Sequence, residues 1–147
     1  VSGNVDLNSS SLSKTTTMSI AKVQSTTNST SKTTGALIVS GGVGINNDLH
    51  VGGDITAFSS SDINLKENIN VIPNALDKVN AISGYTFTWK SGKGDDTGVI
   101  AQEVEALGLP GVTETRDDGT KAVRYEKLVP VLIQAIKELS AKVDELS

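Results

Sequence analysis

The chain changes character at Ser59-Ser60-Ser61-Asp62-Ile63-Asn64-Leu65-Lys66-Glu67-Asn68-Ile69. Before this stretch the sequence is rich in Ser, Thr and Gly, and residues 1–60 hold only three acidic and three basic residues. After it the charge density is that of an ordinary globular domain, and the whole formal net charge of -4 belongs to residues 61–147. The stretch therefore predicts a boundary between two domains, residues 1–60 and residues 61–147.

Composition argues against several classes of function. A net charge of -4 disfavours nucleic acid or an anionic membrane as the main partner. No apolar run is long enough to span a bilayer, so we expect no membrane insertion. There is no cysteine, the single histidine His50 has no evident partner ligands, and the glycine-rich stretches lack the spacing of nucleotide-binding loops. We therefore expect no metal and no cofactor. The start at Val1 without a signal segment is interpreted as a fragment of a longer protein.

Residues 1–60 cannot bury enough apolar surface to fold as one copy. Ser and Thr make up about a third of them. From Gly35 onward, apolar residues alternate with polar ones between glycine and asparagine pairs, at Leu37/Val39, Val43/Ile45, Leu49/Val51 and Ile55. This alternation predicts short strands joined by tight turns. Such strands need partners, which intertwined copies of the chain would supply.

Residues 61–147 have the pattern of a small α+β domain. Apolar spacing predicts a helix around residues 74–81, and Tyr85-Thr86-Phe87-Thr88-Trp89 alternates like a strand. Residues 90–97 are interpreted as a polar loop in which Asp95-Asp96 forms a solvated turn. Residues 98–107 then predict a strand end that runs into a short helix. Asp118-Gly119 between extended segments predicts a β-hairpin.

The C-terminal stretch predicts a helix with a heptad seam. Its apolar residues step alternately by three and four positions, as a and d residues do, at Val129, Leu132, Ile136, Leu139, Val143 and Leu146. Pro130 falls in the first turn, where proline is tolerated. The seam either lies on its own domain or joins copies of the chain in a coiled coil, and we favour the second interpretation. Val and Ile at a with Leu at d by themselves favour two helices over three.

Three motifs in the second domain resemble a known family. They are Ser61-Asp62-x-x-Leu65-Lys66-x-x-Ile69, then Gly98-Val99-Ile100-Ala101-Gln102-Glu103-Val104, and then Tyr125-x-x-Leu128-x-Pro130-x-Leu132-x-x-Ala135-Ile136-Lys137-Glu138-Leu139. Their order and spacing are similar to those of the C-terminal intramolecular chaperone of endosialidase-type phage tail spikes and fibres. The resemblance covers essentially all of residues 61–147, and residues 34–45 also resemble the repetitive stalk upstream of such chaperones.

The resemblance implies a homotrimer in which the chaperone domain holds three stalk chains while they wind into a triple β-helix. It also implies a self-cleaving serine endopeptidase that cuts the Ser60–Ser61 bond, with Ser61 and Lys66 as the catalytic pair. Asn64 stands where many members have arginine. The stalk would then belong to the virion tail fibre and contact the host surface, whereas the chaperone would act in the infected host cytoplasm during assembly.

The implied chemistry is reasonable for these side chains. A serine hydroxyl is a poor nucleophile until a base takes its proton, and a lysine is a base only as the neutral amine. We expect burial against Leu65 and Ile69 to favour that neutral form. Either Ser61 attacks the preceding carbonyl to give an ester that water opens, or Lys66 activates attack beside an oxyanion site of unassigned groups. Asp62 either orients Lys66 or caps the following turn.

Two other functions fit the same sequence. Residues 61–147 could be a permanent trimerisation cap without catalysis, since the heptad seam and the glycine-rich strands suit that role equally well. A receptor-binding fibre tip is a third interpretation, supported by the many hydroxyl side chains of residues 1–60 but by no defined pocket. Only the motif around Ser61 and Lys66 separates a self-cleaving chaperone from a permanent cap.

Overall fold

The computed structural model describes residue 20 and residues 22–147. The chain divides into two compact units, Val1–Phe58 and Ser59–Ser147, so the units meet two residues before the boundary expected from composition. The part of the predicted stalk formed by residues 1–19 and residue 21 lies outside the described residues.

Within the first unit, residues 22–58 contain neither a helix nor a strand. Their hydrogen bonds are local, such as those that Thr34 Oγ1 accepts from the backbone nitrogens of Thr30 at 2.8 Å and Ser31 at 2.9 Å. The apolar residues assigned to strands by their alternation are exposed, for example Leu37 at 70 % and Leu49 at 66 %. A strand without a neighbour is not stable in water. The β stalk therefore stays a prediction that concerns several copies of the chain.

The second unit is a small α+β domain, as predicted. Its elements are α1 (Ala75–Asn80), β1 (Tyr85–Trp89), β2 (Gly94–Gly98), α2 (Ala101–Ala106), β3 (Thr113–Thr115), β4 (Lys121–Val123) and α3 (Val129–Glu145), with 3₁₀ helices at Ile63–Leu65 and Tyr125–Leu128. The strands form two separate antiparallel hairpins, β1 with β2 and β3 with β4. The helices near residues 74–81 and 101–107, the strand at Tyr85–Trp89 and the hairpin around Asp118-Gly119 are confirmed.

The interior of this unit consists of two small apolar clusters. Ala75 of α1 packs against Val131 and Ala135 of α3, with partly buried Ile72, Leu76, Val79 and Leu109 around them. Val104, Val112 and Leu128 form the second cluster, which joins α2 to the second hairpin. Leu109 borders both clusters, so the loop after α2 connects them.

The interpretation of residues 90–97 as a polar loop is wrong at its C-terminal end. Residues 94–98 form β2, in which Asp95 pairs with Thr88 and Asp96 with Phe87 of β1. Asp95 accepts a 2.5 Å hydrogen bond from the Thr88 hydroxyl, and Asp96 accepts a 3.0 Å bond from the Trp89 indole N–H. These cross-strand bonds offset the poor strand propensity of aspartate. The Trp89 bond also lowers the pKa of the Asp96 carboxyl, because it favours the ionised form.

Helix α3 presents different residues to its own domain and to solvent. Val131 and Ala135 are buried against α1. The residues of the predicted seam are all exposed, by 45 % at Leu132 up to 89 % at Leu146. The helix is therefore anchored by residues outside the a and d positions, and the described residues of one chain leave its heptad seam exposed.

Glu138 links the middle of α3 to the start of α1. Its Oε1 accepts a 3.0 Å hydrogen bond from the backbone nitrogen of Ala75, and its Oε2 accepts a 2.8 Å bond from that of Leu76. These are backbone donors that a helix start leaves without a partner inside the helix. Asn74, the residue before α1, makes no side-chain cap of its own. A carboxylate 63 positions away along the chain supplies the cap instead.

Glu138 should make the domain sensitive to acid. The bonds from Leu76 and Ala75 hold the pKa of its carboxyl below the ordinary value of 4.5. Because the pKa is lower in the folded state, the stabilisation is full above 4.5 and is lost as the pH falls through the folded-state value. The melting temperature of Glu138→Gln is expected to be lower than that of the wild type at neutral pH, and the gap should close on acidification. Glu145→Gln, an exposed glutamate of the same helix, is the control, and a gap that stays constant from neutral pH to about pH 3 would contradict the assignment.

Candidate functional site

Ser61 and Lys66 lie at either end of the 3₁₀ helix Ile63–Leu65. The helix is closed by backbone hydrogen bonds of 3.1 Å, from Leu65 N to the Asp62 carbonyl and from Lys66 N to the Ile63 carbonyl. This single turn brings the two side chains together, although five positions separate them in sequence. Lys66 Nζ donates a 2.7 Å hydrogen bond to Ser61 Oγ. The contact has the geometry required for proton transfer from the hydroxyl once the amine is neutral.

The pair is open to solvent in one chain. Ser60, Ser61 and Lys66 are exposed, and the first two lie outside any helix or strand. Leu65 and Ile69, which we expected to bury the lysine, are 72 % and 61 % exposed. The apolar surroundings expected from the sequence are thus not formed by the described residues of a single chain.

Asp62 caps the turn and does not contact Lys66. Its Oδ1 accepts two hydrogen bonds from Asn64, one from the backbone nitrogen at 2.8 Å and one from Nδ2 at 2.9 Å. Across the described residues, Lys66 forms no ion pair with any carboxylate. Of the two roles considered for Asp62, these contacts correspond to capping of the turn.

Glu103 organises the turn between α1 and the first hairpin, a role that the sequence did not indicate. Its Oε1 accepts a 2.7 Å hydrogen bond from the Tyr85 hydroxyl, and its Oε2 accepts a 3.2 Å bond from the backbone nitrogen of Ser83. The bond to the Glu103 carboxylate raises the pKa of the Tyr85 phenol. Glu103 lies in a motif that we had singled out, but only the fold brings Tyr85 to it.

Gly98 allows a close approach of Tyr125 to the end of β2. The Tyr125 hydroxyl accepts a 3.1 Å hydrogen bond from the backbone nitrogen of Val99. A Cβ atom at position 98 would lie only 2.5 Å from that hydroxyl oxygen. Two of the three motifs therefore meet here, since Gly98 opens the second and Tyr125 opens the third.

Residue 20 and residues 22–147 contain no group of three or more His, Asp or Glu side chains arranged to hold a metal ion. In the same residues, no helix combines the length and the apolar character needed to cross a membrane.

The comparisons with known proteins match the same part of the chain. Residues 61–113 match the model of a peptidase family described as chaperone of endosialidase, and the match begins at Ser61. The chain is 36 % identical over 112 residues to the long tail fiber protein Gp37 of Enterobacteria phage K3, an alignment that covers 69 % of this chain and 9 % of that protein. Gp37 of Enterobacteria phage T2 gives the same identity over the same length, with 69 % of this chain and 8 % of the relative covered. Gp37 of Escherichia phage AR1 is 33 % identical over 124 residues, covering 72 % of this chain and 11 % of that protein.

These alignments span about a tenth of the length of the curated relatives. They support a chaperone domain of the kind found with phage tail fibres. Residues 61–113 are therefore similar to the family described as chaperone of endosialidase.

Proposed function

We propose that residues 61–147 hold three copies of the chain together while the fibre stalk folds, and then release themselves by cutting the Ser60–Ser61 bond. The observation that carries the proposal is the 2.7 Å contact between Lys66 Nζ and Ser61 Oγ, at the first residue of the family match. The relatives are named as long tail fibre proteins, which supports a fibre stalk as the segment that the domain serves.

Two groups of exposed apolar residues support assembly of several copies. One is the seam of α3, and the other is the set of alternating residues between Gly35 and Phe58. Many exposed apolar side chains of this kind favour association. Three stalk chains find their register more readily when a clamp raises their mutual concentration. After the stalk has formed, the clamp is no longer needed and its loss leaves the stalk kinetically stable.

The proposed cleavage is an N-to-O acyl shift followed by hydrolysis of the resulting ester. Ser61 Oγ bonds to the carbonyl carbon of Ser60 while Lys66 takes the hydroxyl proton. The amide nitrogen of Ser61 then leaves that carbon and receives the proton from Lys66, which gives an ester and a free amine. Water hydrolyses the ester, so the Ser60 carboxylate and the Ser61 hydroxyl are the final groups. Because the nucleophile lies next to the bond that it attacks, little entropy is lost in reaching the reactive geometry.

The second candidate function is a permanent, non-catalytic trimerisation cap. The exposure of Lys66 and of its apolar neighbours Leu65 and Ile69 favours it, because the described residues of one chain do not form the apolar surroundings expected around a catalytic lysine. Self-cleavage would require assembly to cover Leu65 and Ile69. The two candidates therefore predict different products from the same assembled protein.

Intact mass spectrometry of the expressed chain decides between them. The wild type is expected to yield fragments 1–60 and 61–147, whereas Ser61→Ala and Lys66→Ala stay full length. Loss of the base should slow cleavage by a factor of about 10²–10⁴. Lys66→Arg should also fail, because arginine keeps the charge but does not deprotonate.

Ser59→Ala is the matched control, since it alters a neighbouring exposed serine and should cleave like the wild type. A single full-length species in every sample would contradict self-cleavage and leave the permanent cap as the remaining candidate function. Cleavage at another bond would overturn the assignment of Ser60–Ser61.

A further inference from the structure

We propose that Asn64 is a positioning residue for self-cleavage, which keeps the Asp62 carboxylate on the 3₁₀ turn and away from Lys66. The inference rests on the proposed function of Ser61 and Lys66, and it assigns a role to a neighbour outside that pair. It is carried by the two hydrogen bonds from Asn64 that converge on Asp62 Oδ1.

Asp62 and Lys66 are placed where opposite charges ordinarily pair. They are the N-cap and C-cap residues of the helix Ile63–Leu65 and are four positions apart. Opposite charges this close along the chain attract one another unless other contacts hold them apart. The Lys66 amine nevertheless donates to Ser61, and the described residues include no ion pair to it.

The Asn64 side chain supplies the competing attraction. Its backbone N–H would bond Asp62 with any residue at position 64, but the 2.9 Å bond from Nδ2 depends on the amide side chain. With both bonds in place, Oδ1 is held toward Asn64 by two donors. Without Nδ2, one donor remains, and rotation of the carboxylate toward Lys66 costs one hydrogen bond less.

The protonation of Lys66 makes this placement matter for the reaction. A nearby carboxylate favours the ammonium form, which has no lone pair to accept the Ser61 proton. Lys66 is exposed, and Asp62 and Glu67 are the carboxylates nearest to it in sequence. Glu67 follows Lys66 directly and forms no ion pair with it among the described residues. Asn64 thus leaves the hydroxyl of Ser61 as the hydrogen-bond partner of the amine.

The test is the pH dependence of self-cleavage in the full chain, measured for the wild type, Asn64→Ala, Asp62→Asn and the double variant. Freeing Asp62 should raise the pH of half-maximal rate in Asn64→Ala by about half a unit, which corresponds to cleavage about threefold slower on the acidic side. In the Asp62→Asn background the same change at position 64 should shift nothing, because the charge that it would release is absent. A merely structural role for Asn64 would lower the rate equally at every pH and in both backgrounds, and that result would overturn the proposal.

A second measurement separates failure of this inference from failure of the proposed cleavage. In the uncleavable Ser61→Ala chain, the NMR titration of the Lys66 side chain reports the same coupling without any reaction. The midpoint should rise in Asn64→Ala only while Asp62 is present. An unchanged midpoint would overturn the role of Asn64 even if the wild type cleaves. A raised midpoint in a protein that stays intact would show that Asn64 restrains Asp62, while the proposed cleavage itself would have failed.

Discussion

The double variant Ile136→Asp/Leu139→Asp is expected to be monomeric while its second unit stays folded. Both side chains lie on the exposed seam of α3, with Ile136 65 % and Leu139 49 % exposed, so changing them removes little packing inside the unit. An assembly that joins copies along the seam would instead bury the new carboxylates without partners. Burying an unpaired charge costs several kcal/mol. Because this cost arises in every copy, the sum exceeds the free energy that holds an assembly together at micromolar concentration. Light scattering after size exclusion should therefore give the monomer mass, with a circular dichroism spectrum like that of the wild type.

The matched control carries more negative charge on the same helix but outside the seam. Lys137→Asp with Ala141→Asp alters exposed b and f positions and should keep the wild-type mass. A wild type that is itself monomeric would refute the trimeric assembly. A seam variant that remains trimeric would show that copies associate through another surface. A dimeric wild type would agree with the preference of Val and Ile at a and Leu at d for two helices.

Gly98→Ala is expected to destabilise the second unit by about 1–3 kcal/mol, the usual cost of forcing extra atoms into a packed site. The new Cβ would lie 2.5 Å from the Tyr125 hydroxyl oxygen and 3.4 Å from Phe87 Cε1. The tyrosine is the more exposed of the two, and its displacement would break the hydrogen bond from Val99 N. For a domain of this size the melting temperature should fall by roughly 5–15 °C.

Tyr125→Phe tests whether the hydroxyl is the atom responsible. Removing that oxygen leaves ring carbon atoms as the neighbours of a Cβ at position 98, with Tyr125 Cζ at 3.7 Å. The double variant Gly98→Ala/Tyr125→Phe should thus be about as stable as Tyr125→Phe alone. Losses that simply add in the double variant would assign the cost to the backbone of Gly98 or to Phe87 instead.

Elements defined by neighbouring residues could be predicted from the sequence, whereas β2 could not. The hairpin of β3 and β4 could be predicted because Asp118-Gly119 lies in its turn, where Gly119 adopts a φ of +83°. The sequence of β2, Gly-Asp-Asp-Thr-Gly, has neither apolar alternation nor strand propensity. Its strand conformation is supported by the bonds that Thr88 and Trp89 donate from seven positions away across the turn, and the residues of β2 themselves give no sign of these bonds.

The candidate site was predictable to a similar extent. The spacing of Ser61 and Lys66 is common by itself, and only the family motif gave the reason to consider them as a pair, which the structure places 2.7 Å apart. The convergence of two Asn64 donors on one oxygen of Asp62 depends on the exact shape of a 3₁₀ turn, which side-chain identity does not specify. The cap of α1 by Glu138 was equally hidden, because its partners lie 62 and 63 positions away.

The way in which α3 is anchored would impose an order on the proposed assembly. A helix of 17 residues is marginal on its own in water, and this one is held by Val131, Ala135 and Glu138 against α1. The seam is therefore a continuous surface only in a chain whose second unit has already folded. Copies that are incomplete or misfolded would lack the surface on which recruitment depends. In the proposed assembly, such a helix would act as a checkpoint that admits only correctly folded chains to the fibre.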